Sequence, residues 1–246
     1  MHMTVTPHRY HGPEVLDDPN VPRALRQRSH RDIAVANAVF GGSRAVLGAI
    51  AECADTLPPH ATLLDIGSGT GEATRLAERC CARFGVQLQT IALDIDAGLA
   101  ASALRHAHGA ICASALQLPL ADASIDIVMC AQVAHHFSGE SLTTLVREMH
   151  RVARHRVIIC DLRRSWIAVA GLWAASWPLR FHPVSRHDGI VSILRGFTVA
   201  ELDAVVYDSC HARATVRRRR GFRLTASWTP TPVSCLTAPT NRAVHA

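Results

Sequence analysis

The stretch "LLDIGSGTGEATRLAE", residues 63–78, decides how this chain is read. An apolar run ends at Asp65, and glycines follow at 67, 69 and 71 before a helix-like sequence begins. A strand that turns through glycines into a helix opens a βαβ unit. Such a turn lets the backbone approach a ligand closely, and the first helical turn offers unpaired N–H groups. Residue 72 is Glu72, so the spacing is G-x-G-x-G and not the G-x-G-x-x-G dinucleotide fingerprint. A carboxylate at Asp65 would repel a pyrophosphate and suits a ligand with a cationic amino group. Further on, "IALDID" places Asp94 at the tip of the next strand, where it can take both hydroxyls of a ribose.

Outward from this turn the rhythm stays regular. "ATLLDIG" (61–67), "QLQTIALDI" (87–95), "AICAS" (110–114), "IDIVMCAQ" (125–132) and "HRVIICDL" (155–162) read as strands. Helical stretches over 71–85, 98–107 and 138–153 separate them. Continuous apolarity marks strands buried on both faces, so the expected class is α/β, with a Rossmann-like, mainly parallel sheet. A helix from Thr198 to about Tyr207 and a hairpin, "RATVRRR"–Gly221–"FRLTASW", close the domain.

Before it, residues 22–57 read as two helices broken at Gly41-Gly42, a helical cover. Residues 1–12 and 229–246 lack periodicity and are expected to be loose tails. The expected division is 1–57 tail and cover, 58–228 ligand-binding domain, and 229–246 flexible tail.

Composition narrows the chemistry. The 246 residues are 48% hydrophobic and contain no lysine, so every one of the 26 basic side chains is arginine. Schiff-base catalysis, pyridoxal-phosphate anchoring and P-loop phosphate binding, which normally use a lysine amine, are thereby set aside. The eight cysteines form no CxxC pair and lie largely in apolar runs, as expected of reduced thiols in a cytoplasmic protein without a zinc framework. The N-terminus lacks a signal-peptide core, and the longest apolar stretch, residues 166–179, is too short to span a bilayer. The +6 formal charge gathers at Arg23–Arg31 and Arg217–Arg220. In a strand–turn context the latter run reads as a solvated edge, so nucleic acid is not the expected partner.

An amino-acid cation joined to a ribose describes S-adenosylmethionine. The D-x-G-x-G-x-G loop with Asp94 resembles the class I S-adenosylmethionine-dependent methyltransferases, over Leu63 to about Asp161 at least. The resemblance implies a seven-stranded sheet and S-adenosylmethionine as cofactor. It places Asp65, Gly67 and Gly69 at the methionine part, with Ser68 and Gly71 also on the cofactor, Asp94 on the ribose and Ile95 against the adenine. It also brings Ser114, Ala115 and Cys130 to the cofactor. Relatives carry "GDA-x-x-LPF" after the third strand, where this chain has "ASALQLPL", so Ser114 stands where an Asp is expected.

After the fourth strand comes "CAQVAHHF", residues 130–137. Amino-directed methyltransferases resemble one another in an Asn/Asp-Pro-Pro-aromatic motif here, and its absence argues against a nucleobase amine. The "HHF" ending is similar to small-molecule enzymes of the ubiquinone and menaquinone type. His135 and His136 are therefore candidates for acid–base work or for packing. No metal is expected, because adjacent side chains should diverge.

Trp166, Trp173 and Trp177 recur on one helical face. They could wall a flat acceptor, pack in the core or against a second copy, or rest weakly on a membrane surface beside Arg163, Arg164 and Arg180. "DLRRSW…HPVSRHDG" resembles a bacterial group of polyketide-pathway methyltransferases, which makes His187 and Asp188 a second acid–base candidate; a capped turn is the alternative. Gln132, Asp161, Arg163, Trp166 and Trp173 are the acceptor-side candidates. The expected activity is methyl transfer to a small aromatic, polyketide- or quinone-like acceptor, at oxygen more than carbon. The alternatives are an RNA methyltransferase using the arginine clusters and a cofactor-binding protein that catalyses another reaction.

Overall fold

The computed structural model describes residues 6–18 and 20–231. Strands β1 (His60–Ile66), β2 (Gln87–Asp94), β3 (Gly109–Cys112), β4 (Ile125–Ala131), β5 (Ala153–Leu162), β6 (Thr215–Arg219) and β7 (Arg223–Trp228) form one sheet in the order 3-2-1-4-5-7-6. The first five run parallel, while β7 is antiparallel to both β5 and β6. The mainly parallel sheet read from the sequence is present, with the seven strands that the resemblance implies.

Helices α1 (Arg23–Val39), α2 (Gly42–Ala51), α3 (Glu72–Ala82), α4 (Ala97–Ala103), α5 (Gly139–Val152), α6 (Trp166–Ser176), α7 (Pro183–Arg195) and α8 (Val199–Cys210) complete the domain. One sheet face packs Leu64, Ile66, Val128 and Ile159 under α5 and α8. The other packs Leu63, Ile127, Met129 and Ile158 under α2 and α3. Strand β4 is buried on both faces from Ile125 to Cys130, which is why its sequence does not alternate. A third cluster, Leu162, Ala168, Leu172, Phe181 and Ile193, lies under α6 and α7 beyond the end of β5.

Two expectations need correction. "RHDG" (186–189) is no capped turn; it lies in the middle of α7, started by His182, whose Nδ1 accepts the N–H of Val184, and by Pro183 in the first turn. Residues 6–12 are not a loose tail. Arg164 donates to Pro7 O, Tyr10 N–H to Leu194 O, and Arg9 to the carbonyls of Arg195 and Phe137. These bonds hold the segment without the periodicity of a helix or strand. Of the expected tails, residues 1–5 and 232–246 lie outside the described residues. Among the described residues no single helix is long and apolar enough to cross a membrane, though α1 with the following helical stretch passes the length and composition test as a bent pair.

Candidate active site

The cofactor cleft lies at the carboxyl ends of β1 and β2. Gly67 has φ +64, and a Cβ there would come within 2.4 Å of Val133 Cγ2, so the turn admits no side chain. Gly69, at φ +54, faces open space, where a backbone surface can receive a ligand. Its N–H donates to Asp94 Oδ2 at 3.0 Å, and Asp96 N–H donates to Oδ1 at 3.0 Å, which fixes the Asp94 carboxylate at the mouth of the cleft. Ile95 beside it is 77% exposed, a conspicuous place for an isoleucine and one that a flat adenine would cover. Ser114 accepts the N–H of Leu116 at 3.2 Å and keeps its own proton to donate, and Ala115 packs partly against the core.

Asp65 is buried. Thr74 Oγ1 donates to Oδ2 at 2.6 Å, while Oδ1 has no partner, and neither has the hydroxyl of Ser68. Burial pushes the Asp65 carboxyl up to about 7; the Thr74 hydrogen bonds oppose that and the charge of Asp94 adds to it. A buried carboxylate oxygen without a donor costs stability, and the ammonium of an amino acid would satisfy it. The residues present therefore fit S-adenosylmethionine: Asp65 for the amino group, Asp94 for the ribose, and Gly67 and Gly69 for close approach. Cys130 is the exception. Its side chain is wholly buried in the core beneath the cleft, and burial drives its thiol well above the ordinary range, so the side chain packs in the core.

Beside the cleft lies a second cavity of about 400 Å³. Ile33, Ala36 and Phe40 of α1, Leu162, Ala168 and Leu172, and Phe181 and Ile193 give it apolar walls. Its polar points are few: Gln132, His135, His136, Glu14, Asp32 and Arg223 among them. Gln132 holds φ +59, a strained position for a residue with a side chain, and its Nε2 donates to Asn37 Oδ1 at 2.6 Å, tying the end of β4 to the helical cover.

His135 is buried, with Nδ1 2.7 Å from Asp161 Oδ1. Its backbone N–H donates to Asp161 Oδ2 and that of Leu162 to Oδ1. Burial works against the Asp161 charge, yet the contact with His135 and these hydrogen bonds hold the carboxyl below its usual range. A carboxylate facing Nδ1 puts the proton on Nδ1 and leaves the lone pair on Nε2. That Nε2 is buried and has no hydrogen-bond partner, with Glu14 Oε1 3.9 Å away.

The adjacent histidines do not diverge as the sequence reading supposed. A short 3-10 turn over Ala134–His136 stacks their rings with centroids 4.4 Å apart, and Glu14 joins them so that one ligand atom of each lies within 4.8 Å of the others. Arg195 enters the same cluster, 3.1 Å from Glu14 Oε1, 3.2 Å from His136 Nδ1 and 3.0 Å from Asp17. A guanidinium thus supplies the positive charge that these carboxylates need. His136 Nδ1 can accept from Arg195 when neutral or donate to Asp17, at 3.5 Å, when protonated. Burial opposes its charge, but the contacts with Asp17 and Glu14 outweigh that and raise its pKa.

Other candidates fall away from the cavity. Asp188 accepts the N–H groups of Val15 and Leu16, so it anchors the N-terminal segment, and the exposed ring of His187 merely leans on it. Asp161 orients His135, not His187. Trp166, Trp173 and Trp177 are each about half exposed on the outer face of α6, whose Ile167, Ala168, Gly171 and Leu172 line the cavity instead. They line no part of this cavity and do not belong to the core. Arg163 stacks on Phe222 outside the cavity; the arginine that lines it is Arg223, for which the sequence has no motif. Glu14 and Asn37 were also missed, since each comes from the cover, far away in sequence.

A family model described as a methyltransferase domain matches residues 64–160. No curated protein matches the chain. Among solved structures, the plantazolicin methyltransferase BamL, in complex with a triazolic desmethylPZN analog and SAH, is similar at TM-score 0.58 and 12% identity, over 81% of this chain and 89% of that one. Magnesium protoporphyrin IX methyltransferase (ChlM) from Synechocystis PCC 6803 with bound SAH gives TM-score 0.54 and 16% identity, over 87% and 90%. A SAM-dependent methyltransferase from Aquifex aeolicus gives 0.50 and 16%, over 70% and 82%. The sheet with its flanking helices is the class I methyltransferase fold, and residues 64–160 are a methyltransferase domain whose cleft fits S-adenosylmethionine.

Proposed function

We propose that this methyltransferase domain passes a methyl group from S-adenosylmethionine to a hydroxyl oxygen of a small, flat, apolar acceptor of aromatic, polyketide- or quinone-like type. Bound S-adenosylmethionine would supply an electrophilic methyl carbon, whose bond to sulfur breaks as the new oxygen–carbon bond forms. The chain's own residues do the rest. The apolar walls around Phe40, Leu172 and Phe181 exclude water and hold a flat ring. His135 Nε2 accepts the hydroxyl proton, and Asp161 keeps the lone pair on that nitrogen and stabilises the imidazolium that results.

The observation that carries this reading is a buried histidine clamped at Nδ1 by a buried carboxylate, with no hydrogen bond at Nε2 and Glu14 Oε1 3.9 Å from it, on the wall of an apolar cavity next to the cleft. An unperturbed phenol keeps its proton at neutral pH, so such an acceptor needs a base. The names of two similar structures, a magnesium protoporphyrin IX methyltransferase and a plantazolicin methyltransferase, agree with a small acceptor. The test is to incubate the chain with methyl-labelled donor and hydroxyaryl compounds, and to locate the label by mass spectrometry. Label on oxygen is the expected outcome; label on nitrogen or carbon alone, or none, refutes the reading.

A further inference from the structure

We propose that Arg223 is an anion-binding residue of the acceptor cavity, and that the acceptor is a hydroxyaryl carboxylic acid held through its carboxylate. The inference rests on the reading of this cavity as the acceptor site and adds what the acceptor must carry.

Three arginines are buried among the described residues: Arg164, Arg195 and Arg223. The first two are well partnered. Arg164 binds the carbonyls of Pro7 and Gly196 and the carboxylate of Glu201. Arg195 binds Gly12 O, Glu14 and Asp17. Arg223 differs. It lines the cavity at 5% exposure, and its Nε and Nη1 have no hydrogen-bond partner. Burial lowers its pKa to about 10, with the Asp161 charge opposing, so it stays a cation at neutral pH.

The strand register explains how it gets there. Arg223 opens β7 directly across from Leu162, the last residue of β5. Opposed residues of an antiparallel pair share a face, so the guanidinium enters the space that Leu162 walls. The carboxylates around the cavity do not answer it. Asp161 is engaged by His135 and two backbone N–H groups, Glu14 by Arg195 and Ser192, and Asp32 by Arg28 and the N–H of His182. Arg223 is therefore the cation left over, with the Nε–H and both N–H bonds of Nη1 unused. A buried, unpaired guanidinium is costly, and the partner that matches its planar fork is a carboxylate. An apolar ring against Phe40 and Phe181, an anion on Arg223 and a hydroxyl toward His135 together describe an aromatic hydroxy acid.

The experiment is calorimetry of the full chain saturated with S-adenosylhomocysteine, titrated with 3-hydroxy-2-naphthoate, its methyl ester and 2-naphthol. The acid should bind about ten- to a hundredfold more tightly than either neutral compound. Arg223→Gln should bring the three to similar affinity, and Arg223→Lys should retain part of the preference. Equal affinities in the native chain, no binding of any of the three, or a preference that survives Arg223→Gln would overturn the proposal. The three ligands compare on the native protein, so the proposal stays testable even if a variant fails to fold. Failure of the wider reading looks different: selective binding of the acid with no methylated product would refute methyl transfer here and leave Arg223 as the anion site.

Discussion

Asp161 grips His135 at two points: its Oδ1 lies 2.7 Å from the ring Nδ1, and its Oδ2 accepts the backbone N–H of the same residue at 3.0 Å. One carboxylate thereby fixes both the position of the histidine and the orientation of its ring, whose Nε2 lies 3.9 Å from Glu14 Oε1. Asp161→Asn keeps the size but can turn its amide NH2 toward Nδ1, which moves the ring proton to Nε2 and blocks it as a base. With 3-hydroxy-2-naphthoate as acceptor, kcat should fall about 10²- to 10⁴-fold in Asp161→Asn and in His135→Gln, at little change in KM. The double variant should be no slower than the slower single one, because the two act as a unit. Initial rates at saturating donor decide this; losses that multiply would show that they act separately.

Asp65 ties cofactor affinity to pH. Its carboxyl titrates near 7 in the free protein, against 3.8 as an ordinary aspartate. Between those values the folded state holds a proton that the unfolded chain has lost, so stability from this group is present below about 4 and drains away as pH rises to 7. An ammonium bound to Asp65 requires the charged form. Affinity for S-adenosylhomocysteine should therefore weaken by about tenfold per pH unit below 7, with one proton released on binding. Calorimetry at pH 6 in two buffers of different ionisation enthalpy measures that proton. Asp65→Asn should bind more weakly and lose the dependence; a flat pH profile in the native chain would mean that the ammonium sits elsewhere.

What the sequence disclosed follows from how local each feature is. The glycine turn, Asp65 and Asp94 lie on one βαβ unit, where chain order fixes spatial order, so the cleft was legible. The sheet was legible too, because β4 and β5 are apolar on both faces. The acceptor cavity was not. Its walls come from α1, α6, α7 and the ends of β5 and β7, and only folding brings Glu14, Asn37, His135 and Arg223 together. The helical period placed the tryptophans on one face correctly but could not say which way that face pointed. Arg223 did leave a signal: it is the first residue of a strand whose alternate residues Leu224, Ala226 and Trp228 are apolar, and a strand buried in this way leaves little room for a solvated charge.

The tryptophans themselves make a prediction. Trp173 is 53% exposed on the outer side of α6, whereas Gly171 on the same helix lines the cavity with open space at its Cβ position. Trp173→Ala should leave the KM for the naphthoate unchanged. Gly171→Leu should raise it about tenfold or more by filling the cavity, since one immobilised side chain there displaces ring contacts. The reverse ranking in steady-state kinetics would restore the tryptophans as the acceptor wall.

The N-terminal segment should behave as part of the domain and not as an appendage. Glu14 is buried, accepts from Ser192 at 2.6 Å and pairs with Arg195, while Val15 and Leu16 close onto Asp188. Removing residues 1–18 would strip Arg195 of both its acids and its carbonyl partner at Gly12, leaving an uncompensated buried cation beside His136. Breaking a buried pair from one side costs about 3–5 kcal/mol, a large share of a domain's stability. Glu14→Gln, which leaves Asp17 on Arg195, should cost less, about 1–3 kcal/mol. Urea midpoints of the native chain, the variant and the truncation measure the order. A truncation as stable as the native chain would mean that the segment only rests on the domain, and the cluster around Arg195 would then have to be held by something other than Glu14 and Asp17.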